Sequence, residues 1–145
     1  MIVGPFGRFP VREREAGRRI ARQEGTTAMI DDPLIRLRAL CASHPGVIER
    51  ESHGEPTWFV GGRTFVTYAD HHHDDRVAFW CAAPEGVQES LVESAPDRFF
   101  RPPYVGQRGW LGVWIDVPVD WDEVAAIVAD AHRLVASVRR TRSTG

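Results

Sequence analysis

The stretch from Phe99 to Asp116, FFRPPYVGQRGWLGVWID, packs five aromatics, two prolines and three glycines around a basic turn. Pro102-Pro103 makes a rigid corner, because proline locks φ and offers no N–H. Arg108 follows in a turn flanked by Gly106 and Gly109, and Trp110 to Ile115 then alternates as a strand does. Trp110, Gly112 and Trp114 share one face of that strand, and Leu111, Val113 and Ile115 the other. The aliphatic side is expected to meet helices, leaving a tryptophan face opened by Gly112. Asp120 with Glu123 forms a capping-box-like start for a last helix. Val124, Ile127, Val128, Ala131, Leu134, Val135 and Val138 lie on one stripe of it.

Upstream, punctuation marks out the other elements. Asp31 or Asp32 can cap a first helix with Pro33 in its first turn, and Leu34, Leu37, Leu40 and Cys41 keep helical spacing. His44-Pro45-Gly46 ends it. Val47 to His53 reads as a charged edge strand, and Gly54-Glu55-Pro56 as a turn. Thr57–Val60 and Arg63–Ala69 flank Gly61-Gly62, a dipeptide suited to a two-residue hairpin turn. Arg76–Cys81 is the next strand, with Trp80 half buried. Pro84 and Glu85 open a second helix bearing Val87, Leu91 and Val92 on one face.

The expected order is one helix, three or four strands, a helix, two strands and a helix. Hairpin-linked strands imply an α+β fold, a two-layer antiparallel sheet with packed helices.

At 145 residues and 43% apolar content the chain suits one domain with one core. No apolar run approaches the roughly 20 residues that span a bilayer. No secretory or twin-arginine signal is legible, so no membrane partner and a cytoplasmic location are expected. Cys41 and Cys81 fit that compartment as small buried hydrophobes.

Every basic residue is arginine, and the net charge of −2 is unevenly spread. Residues 1–28 carry six Arg against three Glu, whereas the remainder carries twelve Arg against seventeen acids. The basic segment 1–28 is expected to be a disordered leader; the alternative is an arm that grips an anionic partner. Met29 stands just before the first well-formed element, and a native start there would leave out the leader. Residues 29–140 form the single domain, and 141–145 a flexible tail.

The punctuation resembles the MmcQ/YjbR family of small bacterial proteins. The matching residues are Gly54-Glu55-Pro56, Val60-Gly61-Gly62-Arg63-Thr64-Phe65, Pro96-Asp97-Arg98-Phe99-Phe100, Pro102-Pro103-Tyr104-Val105-Gly106, Gly109-Trp110-Leu111-Gly112-Val113 and Asp120-Trp121-Asp122-Glu123-Val124. They span about residues 31 to 138. The resemblance implies a two-layer fold likened to CyaY and to type III secretion chaperones. It also implies the label of DNA-binding protein, attached to a double-wing arrangement of hairpin loops. Arg63 stands where the family commonly has Lys, and Ala82-Ala83 where a Lys is often expected nearby.

Among possible sites, His71-His72-His73-Asp74-Asp75 has the composition of a metal cluster. Adjacent residues in a tight loop cannot readily converge on one centre, so a solvated loop is expected, with no metal and no cofactor. Catalytic templates are missing: there is no Gly-x-Ser-x-Gly, no P-loop and no His-Glu-x-x-His. His132 reads as a partly buried structural histidine. The chain is therefore expected not to be an enzyme.

The basic-aromatic set Arg63, Arg76, Arg101, Tyr104, Arg108 and Trp110 is the candidate surface, with arginines for phosphates and rings for bases. Alternatively, Tyr104, Trp110 and the Pro-Pro corner plug one end of the sheet. The functional expectation is a non-enzymatic DNA-binding protein. The alternatives are a protein-interaction module, using the tryptophan face for a homodimer or peptide, and a small-molecule-binding domain.

Overall fold

The computed structural model describes residues 32–71 and 75–144, with side chains through Val138. The leader, His72, His73 and Asp74 lie outside the described residues.

Helix α1, Pro33–Ala42, begins where Asp32 Oδ1 accepts from the Leu34 N–H at 3.0 Å. Pro33 occupies the first turn, where no N–H is needed. Strands β1 (Val47–Ser52), β2 (Glu55–Val60), β3 (Arg63–Asp70) and β4 (Val77–Cys81) follow. Then come α2 (Val87–Ser94), β5 (Phe99–Phe100), a short 3-10 turn at Gly106–Arg108, β6 (Leu111–Trp114) and α3 (Trp121–Thr144). The six strands form one antiparallel sheet in the order β1-β2-β3-β4-β6-β5. This is the expected α+β architecture, with four strands in the first group.

Both leading hairpins close through two consecutive residues at positive φ. Gly61 and Gly62 have φ of 62° and 83°, as their sequence requires. The β1–β2 turn lies at His53 (55°) and Gly54 (83°), earlier than the expected Gly54-Glu55-Pro56. Glu55 and Pro56 already belong to β2. Pro56 pairs only with β1, because the ladder to β3 begins at Thr57, so its missing N–H interrupts nothing there.

Cross-strand partners define the two faces of the sheet. Trp58, Val66, Cys81 and Leu111 form one row, and Tyr68, Phe79, Val113 and Phe99 another. All eight are buried, in one core with Leu37 and Cys41 of α1 and Val124, Val128 and Ala131 of α3. Each fully buried large side chain contributes roughly 1.5–3 kcal/mol of transfer free energy. A register shift opposite Trp58 and Phe59 leaves Phe65 as an extra residue between Thr64 and Val66. Phe65 and Val66 are both fully buried.

The opposite face carries the row Thr57, Thr67, Trp80, Gly112 and Phe100. Trp80 is 7% exposed, more buried than expected. Nor is this face open at Gly112: a Cβ built there would lie within contact of the Phe100 ring atoms. Phe100 in turn stacks on Trp114, centroids 4.6 Å apart.

Three helix details also differ from expectation. Helix α2 starts at Val87 after Gly86 at φ 86°, because Pro84 and Glu85 are spent on a turn closed by Val87 N–H to Pro84 O. Asp120 Oδ1 does cap α3, accepting from the Asp122 and Glu123 N–H groups. The Glu123 carboxylate does not return to Asp120, however; it pairs with Arg98 and pins α3 beside β5. Finally, α3 continues to Thr144, so the segment expected as a tail from 141 is helical to that point.

His132 Nε2 donates to the Pro45 carbonyl at 3.0 Å and its ring stacks on His44. Burial, with His132 beside it, holds His44 below its ordinary pKa.

Candidate functional site

The site is built on the loop between β5 and β6. Pro102 is buried, and the Val105 N–H reaches the Pro103 carbonyl at 2.6 Å across Tyr104, whose φ is 67°. That is a γ-turn with its central residue at positive φ, the rarer and more strained form. It lifts Tyr104 to 83% exposure. The chain then tightens through the 3-10 turn, and Gly109 at φ 85° redirects it into Trp110.

Gln88 of α2 holds the loop from beneath. Its side chain is buried, and Nε2 donates to the carbonyls of Gly106 at 2.8 Å and Trp110 at 2.5 Å. Arg101 braces the same loop from its other end. A Cβ on Gly106 would meet Arg101 Cγ at 2.6 Å, so the arginine lies directly across that glycine.

Between this loop and the β2–β3 hairpin runs a groove of about 870 Å³. Arg63, Arg108, Tyr104 and Trp110 all line it, although Arg63 and Arg108 are forty-five positions apart in the chain. Arg108 lies over Trp110, its guanidinium carbon 5.4 Å from the ring centroid. Trp80 and the threonines Thr57 and Thr67 line the groove further in, their two hydroxyls 2.9 Å apart. Leu134 and Val138 of α3 add an apolar margin.

Charge is graded along the groove. Arg63 and Arg108 lie at one end, and among the described residues neither pairs with a carboxylate. Glu55 lines the other end, accepting the Asp70 N–H at 3.2 Å. Five residues of strand separate Glu55 from Val60, the partner of Arg63, which is roughly 17 Å.

Four of the six expected site residues therefore converge: Arg63, Tyr104, Arg108 and Trp110. Arg76 does not. It lies at the far end of β3, roughly 23 Å from Arg63 along the strand. There it donates to Asp116 Oδ1 at 2.8 Å and covers the Trp114 ring at 4.2 Å. Asp116 Oδ2 also accepts the Val77 N–H, and the Arg76 hydrogen bond holds its carboxyl below the usual range. Arg101 also falls outside the groove lining, because it is spent on the loop. Trp110 is buried, as the end-plug reading expected, and Tyr104 is not.

Sequence reasoning missed Gln88 and the Thr57–Thr67 pair. Counting outward from Gly61-Gly62 opposes Thr57 to Val66, and the bulge at Phe65 moves the pairing to Thr67. Of the histidine cluster, His71 hydrogen-bonds the adjacent Asp70 carboxylate, which raises its pKa. Among the described residues no three His, Cys, Asp or Glu side chains are grouped to hold a metal ion. No helix among them is long and apolar enough to cross a membrane.

The molecule is thus a small α+β protein with a groove along its sheet that carries arginines at one end. The sequence profile of the YjbR family matches residues 42–134, more than half of the chain, and the chain belongs to that family. The fold is similar to the crystal structure of Deinococcus radiodurans protein DR2400, which carries a DUF419 domain. The TM-score is 0.60 at 17% identity, covering 68% of this chain and 75% of that one. No curated protein matches the sequence.

Proposed function

We propose that the chain is a non-enzymatic DNA-binding protein that holds phosphate with Arg63 and Arg108 and stacks a base on Tyr104. One observation carries this reading: two arginines without carboxylate partners among the described residues, and a largely exposed aromatic ring, line the same groove. Arginine forks suit phosphate oxygens, and an exposed ring offers a base a sequence-tolerant platform. A non-enzymatic role is supported by the candidate nucleophiles. Both cysteines are buried, and burial pushes their thiols up, away from the reactive thiolate. The same proposal places the protein in the cytoplasm, where DNA is accessible.

The test is fluorescence anisotropy of labelled DNA over a salt series. Arg63→Ala with Arg108→Ala should weaken binding at least tenfold. It should also flatten the salt slope by about 0.7–0.9 for each lost phosphate contact. Arg76→Ala, at the opposite end, should change affinity less than twofold. Equal losses from Arg76 and from the Arg63/Arg108 pair would remove the groove from the account.

A small-molecule site is the second reading, favoured by the groove volume, which falls within the ~300–1,000 Å³ of ligand pockets. A homodimer through the tryptophan face has less support, since Phe100 already covers Gly112.

A further inference from the structure

If the groove binds DNA, its charge gradient restricts which DNA. Arg63 and Arg108 line one end and Glu55 the other. A duplex carries one negative charge per about 1.7 Å of axis, so its backbone laid along the groove would run onto the Glu55 carboxylate. Tyr104 adds a second restriction. Its ring is 83% exposed, and a ring face can stack only on a base that is free of its duplex neighbours.

We infer that the groove takes the phosphorylated end of an unpaired strand, with the terminal phosphate between Arg63 and Arg108 and the adjoining base on Tyr104. This rests on the DNA-binding reading above and narrows it. A terminal phosphate monoester carries about −1.5 to −2 at neutral pH, whereas a diester carries −1. Two arginines lining one groove match the monoester's higher charge, and each can offer a bidentate pair of N–H donors. The strand then leaves past Tyr104, away from Glu55.

The test compares four short labelled DNAs of one sequence: single-stranded with a 5′-phosphate, single-stranded with a 3′-phosphate, single-stranded with neither, and a blunt duplex. At least one phosphorylated strand should bind tenfold or more tighter than the unphosphorylated strand and the duplex. Arg63→Ala with Arg108→Ala should abolish that preference. Tyr104→Asn, which tolerates positive φ but lacks the ring, should weaken both single-stranded phosphorylated probes several-fold. Glu55→Gln should raise duplex affinity while leaving the phosphorylated strand within twofold. If the duplex binds as tightly as the strands and still depends on Arg63 and Arg108, DNA binding stands and this inference fails. Equal affinity for strands with and without the phosphate also overturns it. If none of the four binds, both readings fall.

Discussion

Trp110, just before β6, and Trp114, at its end, each lie beneath an arginine, and the two pairs have different fates. At the Trp114 end, Arg76 is tied to Asp116, and Asp116 to the Val77 backbone. At the Trp110 end, Arg108 covers its ring without a carboxylate partner among the described residues, and the exposed Tyr104 lies nearby. Residue type and face are the same, since both tryptophans fall in the row interrupted by Gly112. An aspartate separates a structural clamp from a candidate binding surface. Counting arginines therefore does not locate the site, whereas asking what each guanidinium already holds does.

The contrast breaks most severely at Gly112, which stands between the two tryptophans. Valine there would push into the Phe100 ring and drive it off Trp114. Overpacking of this kind costs about 1–3 kcal/mol. Chemical denaturation should show a lower midpoint with an unchanged slope. An unaltered midpoint would mean that Phe100 does not seat on Gly112.

A somewhat smaller effect is expected at the Trp110 end. Gln88→Ala removes both side-chain hydrogen bonds that hold the Gly106 and Trp110 carbonyls. Leaving buried acceptors unsatisfied costs about 1–3 kcal/mol. The carbonyls belong to the loop that presents Tyr104 and Arg108, so DNA affinity should fall with stability, even under conditions where the variant is fully folded. The Arg76–Asp116 clamp should not notice. Loss of stability with intact affinity would show that the loop keeps its shape without Gln88, and the site would then owe nothing to α2.

What the sequence revealed, and what it concealed, follows the range of the interactions. Gly61-Gly62 and Asp120 are decided by their nearest neighbours, and both fold as read, as do the strand count and the helix order. Glu123 was misread because its partner, Arg98, is twenty-five positions away and outcompetes the local capping box. Gln88 reads as a surface residue of an amphipathic helix, and only the arrival of the Gly106–Trp110 loop buries it. Arg76 and Arg108 are indistinguishable in the sequence. Asp116, forty positions from Arg76, decides between them. Local elements were legible, and the convergence that makes a site was not.

The subtlest prediction uses pH to separate the two arginine–tryptophan pairs. Arg76 holds the Asp116 carboxyl below its ordinary value of 3.8. For a group whose folded pKa is depressed, the stabilisation is fully present above the unfolded value and is lost as pH falls through the folded one. The clamp should thus be intact at neutral pH and weaken only below about pH 4. Both partners are near one-third exposed, so solvent screening keeps the effect modest. Thermal melts of the wild type and Asp116→Asn, from pH 7 to pH 2.5, provide the measurement. Asparagine can still accept the Val77 N–H, so the difference between the two proteins reports the charge on residue 116. That difference should hold steady down to about pH 5 and shrink below 3.8. Arg108→Ala, compared with wild type over the same range, should show no such acid step, because its ring contact carries no titrating carboxylate. A matching acid step at Arg108 would reveal a hidden acidic partner, and the two ends of the sheet would be clamps alike.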